Sequence, residues 1–253
     1  MTGKRSFLAC GMVLAAALVA IAALVVSAAP GPSAGASKAA PQTTGSITGT
    51  VMFQGTPPER RKLNMSADPV CETRNPQPTL AEDGAVNSNG TLPNVFVYLK
   101  NVSGSFMPPT TPVILDQKDC MYLPHVLSVM VGQPLKIVSS DPTTHNIHFM
   151  STQNTNFNQT QPPGAPPIMH KFSRPDIMIM VHCNEHPWMS AYVAVTSNPF
   201  YSITGAEGSF TIQNVPPGEY TLGSWAAVFG TQDQKVTVRA GQATRVMLTF
   251  KAP

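Results

Sequence analysis

Polar and apolar residues alternate along residues 46–53 (SITGTVMF), and the alternation stops at Gly55, Pro57 and Pro58. That pattern predicts a strand closed by a turn. Residues 94–100 (NVFVYLK) predict a second strand. The same period returns in 208–212, 215–222, 235–239 and 244–250, with Ala240-Gly241 as a turn between the last two. Residues 60–90 are more weakly patterned and read as an irregular excursion. Side chains of a strand alternate between its faces. Across 145–149, His145 therefore shares a face with Ile147 and Phe149, and His148 points the other way. Across 177–183, Ile177, Ile179 and Val181 form an apolar row that Cys183 ends, with Met178, Met180 and His182 opposite.

Composition agrees with short strands and many turns: only 11% of the 253 residues are charged, while Pro (25) and Gly (18) are plentiful. The chain starts with basic Lys4 and Arg5, then runs apolar from 6 to 29. This is an export signal with small residues at Val26-Ser27-Ala28 for cleavage, or a retained membrane anchor. Cys10 precedes the apolar stretch, which argues against a lipoprotein cleavage site. Residues 30–44, rich in Ala, Pro, Ser and Gly, read as a flexible tether. The rest is expected to be periplasmic or otherwise extracytoplasmic, anchored to the inner membrane if the segment stays. Loss of Lys4 and Arg5 lowers the formal charge from +3 to +1, which leaves no electrostatic footprint for nucleic acid.

The run Val181-His182-Cys183-Asn184-Glu185-His186-Pro187-Trp188-Met189 brings a Cys, a His and a Met into one short loop at spacings of three. Upstream, 141–149 (DPTTHNIHF) adds another imidazole. Two His, one Cys and a weak Met are the donor set of a blue-copper centre. A thiolate and imidazoles hold copper in both oxidation states, and a distant thioether adjusts its potential. Zinc also accepts Cys and His donors. With Cys10 removed and Cys183 on a metal, Cys71 and Cys120 remain as a pair, in a compartment where disulfides persist.

From 121 to 195 the chain resembles the cupredoxins, especially amicyanin, pseudoazurin and plastocyanin. Tyr122-Leu123-Pro124, 127–131 and Gly132-Gln133 look like their entry strand and turn. Residues 135–139 and Asp141 then lead to His145-Asn146, and His182-Cys183 through Met189 is similar to the amicyanin ligand loop. The resemblance implies one type 1 copper ligated by His145, Cys183, His186 and Met189. It also implies that Asn146 braces the Cys183 loop. Pro187 stiffens the stretch before Met189, while Trp188 and Phe149 supply an apolar surround. The outer segments resemble a carboxypeptidase regulatory-like domain, on ITGTVMFQG, GSFTIQNVPPGEYTL and VTVRAG.

The expected fold is all-β: a cupredoxin Greek-key β-sandwich together with a small carboxypeptidase regulatory-like β-sandwich. The expected order is signal or anchor (1–29), linker (30–44), a discontinuous regulatory-like sandwich (45–105 and 198–253) and a copper domain inserted between its halves (106–197). A single elaborated sandwich and two sandwiches in series are the alternatives.

Four protein donors leave no open position for substrate, so a redox change at the metal is the simplest activity. The expectation is an exported electron carrier, not an enzyme, that works between redox protein partners. Copper capture or delivery without electron transfer is one rival, and an adhesive or carbohydrate-binding sandwich the other. His125, His148, His170 and His182 are expected at the surface or around the site. Met178 and Met180 are expected under the neighbouring domain.

Overall fold

A computed structural model describes residues 43–252; the expected signal or anchor and nearly all of the linker lie outside them. The fold is all-β. In chain order the elements are β1 (Gly45–Gln54), α1 (Pro69–Arg74), β2 (Phe96–Lys100), β3 (Val113–Lys118), β4 (Met121–Leu123), β5 (Val126–Met130), β6 (Leu135–Ser139), β7 (His145–Met150) and β8 (Phe157–Gln161). They continue with β9 (Ile168–His170), β10 (Asp176–His182), β11 (Ser190–Thr196), β12 (Tyr201–Ile203), β13 (Ser209–Val215), β14 (Gly218–Ala226), β15 (Gly230–Val238) and β16 (Ala243–Lys251).

Two sandwiches result. The first pairs the sheet β13-β1-β16 with the sheet β12-β2-β14-β15. Its core holds Ile47, Val51, Leu99, Phe210, Leu222 and Leu248. The parallel pairing of β1 with β16 runs from Ser46–Ala243 to Gln54–Lys251, so the two ends of this segment close one sheet. The second sandwich pairs β5-β11-β10-β7-β8 with β4-β3-β6-β9 around Leu115, Ile137, Ile147, Phe149, Val181 and Val193. All of its strands fall between β2 and β12 in the chain. A smaller cluster on Phe96, Val126 and Ala194, flanked by Tyr192 and Trp225, joins the two sandwiches.

The excursion between β1 and β2 belongs to both. Met65 and Cys71 are buried in the second core, whereas Leu92 and Val95 lie in the first. The segment is held by its own backbone pairings, Leu63 N to Thr79 O (2.9 Å) and Ala81 N to Arg61 O (2.8 Å). It contains the short helix α1. Asp68 caps this helix by accepting from Val70 N (2.7 Å) and Cys71 N (3.3 Å), and Pro69 occupies the first turn, where no N–H is needed. Cys71 and Cys120 form a disulfide with Cα atoms 5.6 Å apart, which ties α1 to the β3–β4 turn. This is the pair expected from the cysteine count.

Strand alternation fails once where it matters. The register of β10 on β11 shifts between Asp176 and Ile179, and Met178 adopts φ +65°. Such a bulge adds a residue to one strand and resets its facing. Ile177, expected inward, is consequently 37% exposed, whereas Ile179, Val181 and Cys183 remain buried.

Candidate metal centre

Strands β7 and β10 are antiparallel neighbours, with Phe149 opposite Val181 and His148 opposite His182. Their inward rows end at the same edge of the sheet, so His145 at the start of β7 meets Cys183 just after β10. The loop that follows turns back on itself: His186 N donates to Cys183 Sγ (3.3 Å), and Met189 N donates to His186 O (2.9 Å). The loop therefore delivers His186 beside the thiol and Met189 into the core. His145 and Cys183 are fully buried, His186 is 4% exposed and Met189 is fully buried.

One donor atom from each of His145, Cys183 and His186 lies within 4.8 Å of the others. The Nδ1 atoms of the two imidazoles are 2.9 Å apart, and Cys183 Sγ is 3.8 Å from His186 Nδ1. Metal bonds of ~2.0–2.1 Å to imidazole and ~2.3 Å to thiolate place N and S roughly 3.6–3.8 Å apart at trigonal or tetrahedral angles. The sulfur–imidazole spacing already suits an ion. The two imidazoles would need to part by only about half an ångström.

The outer nitrogens of both rings face carboxylates. His145 Nε2 is 2.9 Å from Asp141 Oδ2, and His186 Nε2 is 3.0 Å from Asp68 Oδ2. With the outer nitrogen engaged, each ring turns Nδ1 toward the thiol. Burial opposes charge on His145, but Asp141 and then Cys183 outweigh it and push the pKa up to about 9. Burial likewise raises the Cys183 thiol, yet His145 and backbone N–H groups, His186 first among them, hold it below the usual value. Burial also acts against the Asp68 carboxylate. His186, Thr143 and the N–H groups of α1 overcome it and bring the pKa down to about 2. The same opposition leaves Asp141 lowered, through His145 and the N–H groups of Cys120 and Asp119. These shifts all favour a proton on His145 over the Cys183 sulfur and the two carboxylates, and a bound cation would take that proton's place.

The remaining expected residues surround this group. Asn146 Oδ1 accepts from Asn184 N (3.3 Å), which couples the first His segment to the Cys183 loop. The Asn146 carbonyl accepts from the buried Tyr122 hydroxyl. Trp188 is 6% exposed, packs its ring 4.9 Å from that of His186 and donates to Cys120 O (3.2 Å). Pro187 is exposed. Phe149 is fully buried, stacked on Phe157 and tilted against His170 and Phe172. The other histidines stand apart: His125 pairs with Asp83 (2.9 Å), His148 reaches Asn184 (3.3 Å), and His170 belongs to the Phe149 cluster. Met178 packs under the first sandwich, but Met180 is 39% exposed. Sequence reasoning missed Asp68 as a partner of His186 and did not single out Asp141 for His145. An Asp-Pro cap before a helical turn was the available signal for the former.

Residues 184–251 match the carboxypeptidase regulatory-like domain family, a span that opens in the loop after β10, takes in β11 and continues from β12 through β16 of the first sandwich. No curated protein matches the chain in sequence. Among solved structures, a Cu(I) form of an amicyanin variant is 21% identical, with a TM-score of 0.30 over 33% of this chain and 81% of that one. A purple cupredoxin from Nitrosopumilus maritimus is 20% identical, with a TM-score of 0.29 over 33% and 98%. The copper-containing nitrite reductase of Thermus scotoductus is 19% identical, with a TM-score of 0.32 over 40% of this chain. The chain spans only 25% of that enzyme.

Proposed function

We propose that this chain is an exported type 1 copper protein that carries single electrons between redox proteins and catalyses no bond-breaking step. The observation that carries the reading is the buried convergence of His145, Cys183 and His186, with donor atoms within 4.8 Å. A thiolate with two imidazoles is the strong donor set of a blue-copper site, and Met189, buried in the same loop, would be the weak thioether donor. Bound there, copper would supply a one-electron couple. The chain's own contribution is to hold the three donors fixed, exclude water and leave no gap for substrate. The Cys71–Cys120 disulfide supports an oxidising location outside the cytoplasm, where the chain is released or stays anchored.

Anaerobic titration with Cu(II) tests this reading. One equivalent should produce an intense thiolate-to-copper absorption near ~600 nm, the signature of a His₂Cys centre. Bound copper without that band would overturn it.

Copper delivery without electron transfer is the second reading, and one surface favours it. On the outward face of β7 and β10, Met150 stands opposite Met180 and His148 opposite His182. The two methionines are 54% and 39% exposed, and thioether with imidazole suits Cu(I). Delivery predicts a second copper equivalent lost in Met150→Leu/Met180→Leu, and release of metal to a partner.

A further inference from the structure

The copper reading leaves one segment unused. Helix α1 and its flanks lie directly over the metal donors. Asp68, at the helix start, holds His186 Nε2 at 3.0 Å and also accepts from Thr143 Oγ1 (2.8 Å). Three residues on, Cys71 Sγ is 3.8 Å from the same nitrogen and is bonded to Cys120. Arg74, in the last turn, places Nε 3.4 Å from Asp141 Oδ1, the carboxylate that holds His145. One turn of helix therefore reaches the outer side of both imidazoles, and the disulfide fixes it there. As a result His186, carried on a surface loop, is only 4% exposed.

We propose that Asp68 and Asp141 are positioning residues for the metal. Each carboxylate fixes the orientation of one ligand imidazole, and together they bias the centre toward its oxidised, more positively charged state. The inference rests on the copper reading above. Its physical basis is that a carboxylate on the outer nitrogen makes an imidazole a more basic ligand, and that removing such a hydrogen-bond partner changes metal affinity by roughly 10- to 100-fold. A negative charge one ring away from the ion favours Cu(II) over Cu(I). Both carboxylates are shielded, Asp141 completely and Asp68 with its side chain 18% exposed, so solvent screens them little. Asp141 shares its charge with Arg74 and with the N–H groups of Asp119 and Cys120 (2.8 Å each). Asp68 pairs with no Lys or Arg among the described residues, and should have the larger effect.

The test is voltammetry on copper-loaded wild type, Asp68→Asn and Asp141→Asn, each with its optical spectrum. Asn caps a helix as well as Asp does, so Asp68→Asn keeps α1 while removing the charge. The expected result is a blue protein whose Cu(II)/Cu(I) affinity ratio falls about tenfold, a rise in potential of ~59 mV for a one-electron couple. Asp68→Glu, which restores the charge, should recover most of the shift. Asp141→Asn should move the potential the same way and by less. If it fails to fold, Asp68→Asn decides. A blue Asp68→Asn protein with the wild-type potential would overturn the proposal and leave the copper reading intact. A wild type without the thiolate band would remove both.

Discussion

The two sandwiches are built alike and buried differently. Each folds two sheets over one core, but the first fills its core with Ile, Val, Leu and Phe and buries only small or neutral polar groups: Thr91, Asn198, Thr204 and Ser224. Around the second core the fold buries Asp141, His145 and His186 together with the free thiol of Cys183. Burying ionisable groups is costly unless they are paired. Here they are paired with one another, at one end of one sheet, and a cation would complete the pairing. Chemistry is to be sought where the second core departs from the rule that the first one obeys. A cavity alone would not point to it, because an open groove lies instead on the first sandwich, along Lys100, Phe106, Glu219 and Tyr220.

Removing the thiol strikes the second core hardest. Cys183→Ser should abolish the thiolate absorption and weaken copper binding severely, since a hydroxyl does not ionise as a thiol does. Optical titration checks this, and a blue Cys183→Ser protein would refute the ligand set. The opposite perturbation is Leu222→Ala, at a fully buried position of the first core. It should cost ~2–5 kcal/mol in denaturant unfolding and leave the copper spectrum of the folded protein unchanged. Loss of colour in the native state would mean that the sandwiches are not separable in function. Cys71→Ser should lower stability by ~2–5 kcal/mol, as usual for a native disulfide, while the colour remains. Chemical denaturation with and without copper measures both effects.

Smaller effects sharpen the picture. Met189→Leu should keep a coloured site and raise the reduction potential, because an apolar side chain stabilises the oxidised ion less. An unchanged potential would make Met189 a packing residue only. The last prediction concerns His125, which tethers the excursion to the second sandwich through Asp83 (2.9 Å) and Ser190 O (3.1 Å). Burial disfavours its charge, but Asp83 and Glu82 prevail and its pKa is raised. A raised folded-state pKa means that the stabilisation is complete below the unfolded value of about 6.5 and is lost as pH rises through the folded value. As pH rises above about 6.5 and through the folded value, the metal-free wild type should therefore lose stability relative to His125→Gln. Parallel curves would show that the pair contributes nothing.

Much of this was legible because strand alternation is a strict code. Alternation places His145, Ile147 and Phe149 inward, and they are buried, as are Ile179, Val181 and Cys183. The code fails at Ile177, where a bulge at Met178 adds a residue that no composition signal announced. Helix α1 was hidden for a different reason. Its six residues carry no period, and only the Asp68-Pro69 cap marks it. Asp68 as the partner of His186 was illegible altogether, because the two residues are 118 positions apart and meet through a disulfide-held excursion. Local patterns specify facing and turns, whereas contacts between distant loops depend on how the whole chain closes.

Copper K-edge X-ray absorption on the protein loaded with one equivalent of Cu(II) reads the donor atoms themselves. The expected first coordination shell has one short sulfur and two imidazole nitrogens, and loses the sulfur in Cys183→Ser. A shell of nitrogen and oxygen alone, unchanged by that substitution, would contradict it.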